Sequence, residues 1–320
     1  MIANPYFDAL GRELQSAYGD CVAALRSGRD RVPCSLTKTP SQEEFELFSE
    51  AISFGNPNLL LSQRFSISNG EFVFEFISSG SELAQRSSEV LREVERISAI
   101  ILRDCHTDVE KVERLNSYLC RRVGGENHQS KTNGTAYGAL IERKARCEGF
   151  TKAAALICDR IGLECMIVAG KAEKDGATVS HAWNIIRIGR DYYHFDFAWN
   201  ASITKKMVQG VLYLFNNDDL IHEDHHELEG VSFPRCPKDD LLFTMRHKGE
   251  VTYGYQAEEA EVVETKVDSF TVLRFHFPIE SEEINAFIRG SLSPYSKGDY
   301  YDYYFDCHRA MLQVYFLHND

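Results

Sequence analysis

No apolar run in this 320-residue chain approaches the roughly 20 residues that a spanning helix requires. The start, MIANPYFDALGRELQ, lacks both a basic n-region and an apolar h-region, so no signal peptide is expected; a leader trimmed from the chain would leave the same start. No CxxC spacing occurs among the nine cysteines, and their number is odd, which argues against a disulfide framework and against a zinc ribbon. Reduced thiols in a cytoplasm are the expectation. Internal repeats, a glycine-rich phosphate loop and low-complexity segments are also missing. Positive charge is in short supply: 35 Lys and Arg against 48 Asp and Glu leave a net charge of −13, which repels phosphates and excludes nucleic acid and anionic membranes as expected partners. The hydrophobic content, 43% with 12% aromatics, is ample for a packed core, in one large domain or two to three small ones.

One stretch organises the rest, ARCEGFTKAAALICDRIG. Phe150, Ala153, Ala154, Ile157 and Ile161 recur at helical spacing and Gly162 supplies the stop, so a buried amphipathic helix is expected with Cys147 at or just before its first turn. Unpaired N–H groups and the positive end of the helix dipole converge there, favouring thiolate over thiol and offering donors to an oxyanion. Taken alone, a cysteine in such a place reads as a small buried hydrophobe.

The following residues change that reading. LECMIVAGKA reads as a buried strand and SHAWNIIRIGRDYYHFDFAWN as a hairpin with a two-residue turn at Gly189 and Arg190. That turn sets Ile188 opposite Asp191, Trp183 opposite Asp196 and His181 opposite Ala198. His181 and Asp196 then share a face as diagonal neighbours, within reach of an imidazole–carboxylate hydrogen bond. The arithmetic demands an even loop, because a three-residue turn would separate them. By the same parity Trp183 is expected in the cleft and Trp199 in the core.

Nucleophile at a helix start, base on a strand and carboxylate on the next are the roles a thiol acyl-transfer enzyme needs. The order Cys147, His181, Asp196, carried by CEGFTKA, HAWN and FDFAWN, resembles the transglutaminase-like superfamily, a branch of the papain-like cysteine enzymes. The similarity is close over Thr135 to Asn200, from TAYGALIERKARC onward, and looser over YLFNNDDLIHEDH. The resemblance implies that Cys147 attacks an acyl carbon, that His181 activates the thiol and protonates the leaving group, and that Asp196 holds the imidazole. It suggests Tyr137 as a donor near the oxyanion, with a tyrosine that merely packs the helix as an equal alternative; strand parity makes Trp183 a further substrate-side candidate. Two departures stand out: Ala198 replaces the usual Thr before the third-motif tryptophan, and Leu115-Asn116 occupy the place of a frequent His-Asp pair.

Elsewhere, Tyr6, Leu10, Leu14 and Ala17 suggest a helix, and Ser41/Glu44 and Thr107/Glu110 make capping boxes ahead of helices, the second running over 108–122. RFSISNGEFVFEF reads as a hairpin about Asn69-Gly70, and 80–104 as a long helix. VLYLF at 211–215, LLFTMRH, VTYGY, AEVVETK, SFTVLRFHF and AMLQVYFLH read as strands, with EEINAFIRG as a helix. His222, His225 and His226, with Glu223 and Asp224, invite a metal reading, but the spacing is not HExxH and a polar loop is preferred. His128 reads as a loop histidine. Asn133-Gly-Thr135 and Asn200-Ala-Ser202 match a glycosylation sequon of the kind that recurs by chance. The tyrosines of DYYDYYFD read as packing, or else as a platform for sugar or peptide.

The expectation is thus an α+β chain in which an accessory region at 1–104 precedes a papain-like, transglutaminase-like core at 105–235, a helix bearing the cysteine packed on an antiparallel sheet, with a β-rich region at 236–320. It acts on protein or peptide amides with no metal or cofactor, as a protease or amidase rather than a cross-linker. The alternative from another class is a non-catalytic peptide-binding or scaffold module, and a zinc hydrolase built on the histidine cluster is a distant third.

Overall fold

A computed structural model of the chain describes residues 2–125, 130–174, 176–204, 209–251, 263–264, 268–277, 279–292 and 301–317. His128 and most of VTYGY lie outside them. In chain order the elements are α1 (Pro5–Ala9), α2 (Arg12–Arg26), β1 (Arg31–Pro33), α3 (Gln42–Gly55), β2 (Leu61–Ser68), β3 (Glu71–Phe76), α4 (Gly80–Asp104), α5 (Asp108–Arg122), β4 (Gly124–Gly125), a π-helical turn at Gly138–Glu142, β5 (Lys144–Ala145), α6 (Cys147–Arg160), β6 (Cys165–Lys174), β7 (Ala177–Ile188), β8 (Asp191–Phe195), α7 (Phe197–Ile203), α8 (Asp218–Ile221), β9 (His225–Glu227), α9 (Phe243–Arg246), β10 (Glu250–Val251), β11 (Val263–Glu264), β12 (Asp268–Phe275), α10 (Ser281–Ser291), β13 (Tyr301–Asp306) and β14 (Met311–Leu317). The architecture is α+β. Among the described residues no helix is long and apolar enough to cross a membrane.

Local chemistry explains many of these boundaries. Ser41 and Thr107 cap α3 and α5 through complete capping boxes with Glu44 and Glu110, satisfying donors that a helix start leaves open. Asn69 and Gly70 both take positive φ, as a I′ turn demands, and Phe65 and Ile67 of β2 stand opposite Phe74 and Phe72 of β3. Gly162, at φ +82°, ends α6 where expected.

The central sheet is antiparallel in the order β8-β7-β6-β9, and α6 packs on it. Asn184 of β7 donates to Thr151 O of α6 at 3.3 Å, so Asn184 and its same-face neighbours Ala182 and Ile186 turn toward that helix. His181, Trp183 and Ile185 point to the other face, which Phe233 and Cys236 cover beside Trp183 and Ile185. The β7–β8 turn has the expected even loop: Ile188 pairs with Asp191, and Gly189 supplies the positive φ of a II′ turn.

The flanking regions are tied to this sheet. Ile2 bridges to Cys165, and the Tyr6 hydroxyl donates to Ile167 O at 3.1 Å while accepting from Ala169 N–H at 2.5 Å. An apolar cluster runs from Tyr6 through Phe150 to Tyr315. The C-terminal sheet, β10-β12-β14-β13 with β11 on β12, holds a second cluster with α10, in which Tyr301, Tyr303 and Phe305 pack. Gln313 and Tyr315 of β14 reach across to Gln209 O and Ile203 O.

Two expected strands are not strands. Residues 211–215 form turns whose apolar side chains are all buried, with Phe215 at φ +59°. Their backbone is used piecemeal, Tyr213 N–H by Asn200 Oδ1 and Tyr213 O by Asp196 N–H, so apolarity here signals burial without alternation. LLFTMRH contains α9, because Arg246 N–H closes a helical turn on Leu242 O while its guanidinium binds Glu113.

Candidate active site

Cys147 is the first residue of α6, after Arg146 at the N-cap, and its side chain is partly exposed. Its N–H, like that of any first helical residue, has no acceptor inside the helix. His181 lies on β7 and is buried. Its Nε2 sits 2.6 Å from Asp196 Oδ2, and the Cys147 side chain is near enough to favour the charged ring. The structure therefore brings together all three residues singled out in the sequence.

Asp196 does not stand on a strand. β8 ends at Phe195, and Asp196 caps α7, its Oδ1 accepting from Trp199 N–H at 3.0 Å. An aspartate at a helix N-cap is a common solution to the open donors there, and here it also clamps the carboxylate. Burial opposes the charge of Asp196, but the His181 charge and hydrogen bond, joined by those of His225, hold its carboxyl well below the usual range. For His181, burial likewise opposes the charged ring. The charge and hydrogen bond of Asp196, with the Cys147 contact, outweigh it and push the imidazole up to about 9.

The tryptophans exchange their expected places. Trp183, expected in the cleft, is fully buried, and its indole N–H donates to His194 Nδ1 at 3.0 Å. The segment carrying Phe233 and Cys236 covers the face it occupies. Trp199, expected in the core, is partly exposed and lies 5.1 Å from the His181 ring. Strand parity does not extend to it because residues 197–203 are helical. Tyr137 is engaged elsewhere: Arg86 of α4 lies 4.9 Å over its ring. Both sequons are sealed, Asn133 and Asn200 being buried.

The histidine cluster divides. His222 bonds Glu227 at 2.8 Å, and His226 is exposed on β9. His225 is fully buried, with Nε2 3.2 Å from Asp196 Oδ2 and Nδ1 bonded to Asp224 Oδ1. Behind it, Asp224 Oδ2 accepts from the Tyr213 hydroxyl at 2.8 Å and lies 3.6 Å from Arg309 Nε. Arg309, fully buried, binds Asp306 at 2.7 Å and Asn216 at 2.8 Å. The IHEDHH run drew attention for metal rather than for this position, and nothing in the sequence near Arg309 connects it with residue 196.

Several of these groups lie close enough to share an ion: His181 with Asp196 and His225, and His194 with either His222 and Glu227 or Asp218 and Cys236. Their hydrogen bonds leave poor donor sets. His194 Nδ1 accepts from Trp183, so its Nε2 carries the proton and faces Asp218 Oδ1 at 3.2 Å, while both nitrogens of His225 already face carboxylates.

A 320 Å³ cavity borders α6. Glu148 and Lys152 of α6 line it opposite Glu50 and Phe54 of α3 and Phe65 and Phe74 of the N-terminal hairpin, so the first hundred residues supply one wall beside α6. Buried Lys152 donates to Gly134 O at 3.1 Å, and burial lowers its pKa. Burial pushes Glu50 up to about 7 against the attraction of Lys152.

The model of the transglutaminase-like superfamily matches residues 95–197. Among solved structures, the chain is similar to a proposed cysteine protease from Cytophaga hutchinsonii, at 18% identity over 33% of this chain and 37% of that one, with a TM-score of 0.29. A TGase matches at 14% over 52% and 50%, with a TM-score of 0.32. Menin, in a structure revealing its binding site for Mixed Lineage Leukemia protein, matches at 12% over 66% and 42%, with a TM-score of 0.30. The chain spans half or less of the length of each. No curated protein matches it. With Cys147 at the head of its core helix and His181 on the antiparallel sheet, the chain has an α+β core that, over residues 95–197, is similar to the transglutaminase-like superfamily.

Proposed function

We propose that the chain is a thiol-dependent acyl-transfer enzyme acting on protein or peptide amides through Cys147, His181 and Asp196. The observation that carries this reading is the position of buried His181, its Nε2 2.6 Å from Asp196 Oδ2 and its charge favoured by the Cys147 thiol at the head of α6. Cys147 Sγ, its proton taken by His181, attacks the amide carbon to give a tetrahedral oxyanion, which the Cys147 N–H and the positive end of α6 stabilise. His181 returns the proton to the leaving amine as the C–N bond breaks and the thioester forms. An acceptor activated by the same imidazole then attacks the thioester, releasing the acyl group and regenerating the thiol. Water gives a peptidase or amidase, an amine gives a cross-link, and the partial exposure of Cys147 favours water.

The test is iodoacetamide labelling at pH 6 with peptide mapping, where an ordinary thiol is mostly protonated and slow. Cys147 is expected to label first, ahead of exposed Cys307, and to lose that lead in His181→Ala. Labelling of Cys147 no faster than that of the other eight cysteines would overturn the proposal. Mass spectrometry of a peptide library, with and without added amine, then reports the bond broken and the acceptor used.

A further inference from the structure

We propose that His225 is a positioning residue for this chemistry, a permanently charged imidazolium that shares the Asp196 carboxylate with His181 and is tied through Asp224 to Arg309 and Asp306 of the C-terminal turn. The inference rests on the triad reading above and adds a residue that touches neither the thiol nor the substrate.

Geometry sets the charge. Nδ1 of His225 faces Asp224 Oδ1 and Nε2 faces Asp196 Oδ2. Ionised carboxylates only accept hydrogen bonds, so both ring nitrogens must carry protons for both contacts to form. The surroundings suit a cation: the rings of Trp199, Trp183 and Tyr213 lie 4.6, 5.0 and 5.6 Å from the imidazole. Asp224 is itself placed by the Tyr213 hydroxyl and by Arg309, whose guanidinium lies 3.5 Å over the Tyr213 ring. Asp306, the last residue of β13, accepts from Arg309 and from Tyr213, at 2.7 and 3.2 Å. The pKa of His225 is raised in the same sense: burial opposes the charge, and the two aspartates outweigh it.

The arrangement bears directly on His181. Asp196, Asp224 and Asp306 bring three negative charges into the interior, while Arg309 and His225 bring two positive ones. Protonated His181 completes the balance, and that is the state needed to face a thiolate and then protonate the leaving amine. A neutral residue at 225 would leave Asp196 to act on His181 alone, and the ring would grip its proton more tightly. His225 therefore tempers the basicity of His181, and the turn between β13 and β14 acts on the site through it.

The direct test is histidine ¹⁵N NMR on the full chain. His225 is expected to hold both N–H protons from pH 5.5 to 9, whereas titration near the ordinary value of ~6.5 overturns the proposal. The second arm is the pH profile of Cys147 alkylation. In His225→Gln the alkaline limb, which reports loss of the His181 proton, is expected to move up by about one pH unit. An unchanged limb in a folded variant marks a merely structural residue and overturns the role. In Arg309→Met a cation is lost from the same network, so the alkaline limb is expected to move up as well; an unchanged limb in a folded variant overturns the part assigned to the C-terminal turn. Should Cys147 of the unaltered chain show no selective alkylation, the triad reading falls and the positioning role with it. A doubly protonated His225 in that sample would then place the failure at the thiol rather than in the carboxylate network.

Discussion

Asn116 of α5 and Asn200 of α7 meet in a hydrogen bond of 3.2 Å, and each also ties down the segment between α7 and α8. Asn116 Nδ2 donates to Gly210 O at 2.9 Å, and Tyr213 N–H donates to Asn200 Oδ1 at 3.0 Å. Both side chains are fully buried. Since Asp196 caps α7, this pair fixes the helix on whose placement the carboxylate depends. Asn116→Leu leaves Gly210 O and the Asn200 amide without their partner. The expected loss is about 1–3 kcal/mol in urea denaturation, with slower Cys147 alkylation. Unchanged stability would show that the pair contributes nothing to holding α7.

Gly170 pairs with His181 across β6 and β7. A Cβ there would stand 2.1 Å from His226 O and 2.8 Å from the Trp183 ring, so Gly170→Ala must displace either β9 or the indole. The expected cost is about 1–3 kcal/mol. Near-ultraviolet circular dichroism of the buried tryptophan and the alkylation rate of Cys147 are expected to change together.

The His181–Asp196 pair predicts a window of stability in pH. The imidazole is raised to about 9, so its contribution is fully present below the unfolded value of ~6.5 and declines until pH passes the folded value. The Asp196 carboxyl is depressed, so its contribution is present above the unfolded value of ~3.9 and fades as pH falls. Urea midpoints measured from pH 3 to 10 are expected to be highest between roughly 4 and 6.5 as far as this pair contributes. His181→Gln is expected to flatten the decline between 6.5 and 9; an equal decline in the variant would assign it to other groups.

Lys152 and Glu50 face each other across the cavity beside α6. Lys152→Met fills a similar volume but removes the donor to Gly134 O and leaves Glu50 without a nearby cation. Loss of the hydrogen bond to Gly134 O is expected to cost about 1–3 kcal/mol. Because Glu50 is raised to about 7, the fold takes up a proton there that the unfolded chain has released, so stability falls as pH rises from ~4.5 to 7. In the variant that fall is expected to continue to higher pH, making the loss larger at pH 8 than at pH 5.5. Equal losses at both would detach Glu50 from Lys152.

Much of the architecture was legible where local chemistry decides. The even Gly189-Arg190 turn sets the β7–β8 register, and the periodicity from Phe150 to Ile161 with the stop at Gly162 sets α6. Those two features put Cys147 at a helix start and His181 on its strand, while the meeting of the three residues was implied by the resemblance that CEGFTKA, HAWN and FDFAWN carry. The parity argument failed beyond Phe195, where Asp196 begins a helix and carries Trp199 out of the alternation. It also misjudged Trp183, since the segment covering its face lies some fifty residues later in the chain.

The sequence by itself determined the helix that presents the sulfur and the paired strands that present the imidazole, because periodicity, capping and turn geometry act over a few residues. Only the tertiary structure decided what stands behind them: His225 on the far side of Asp196, Arg309 and Asp306 behind Asp224, and α3 with its hairpin along the cavity beside α6. Buried charges must find counter-charges wherever the chain passes, and those partners, separated here by as many as 113 positions between Asp196 and Arg309, leave no local pattern to read.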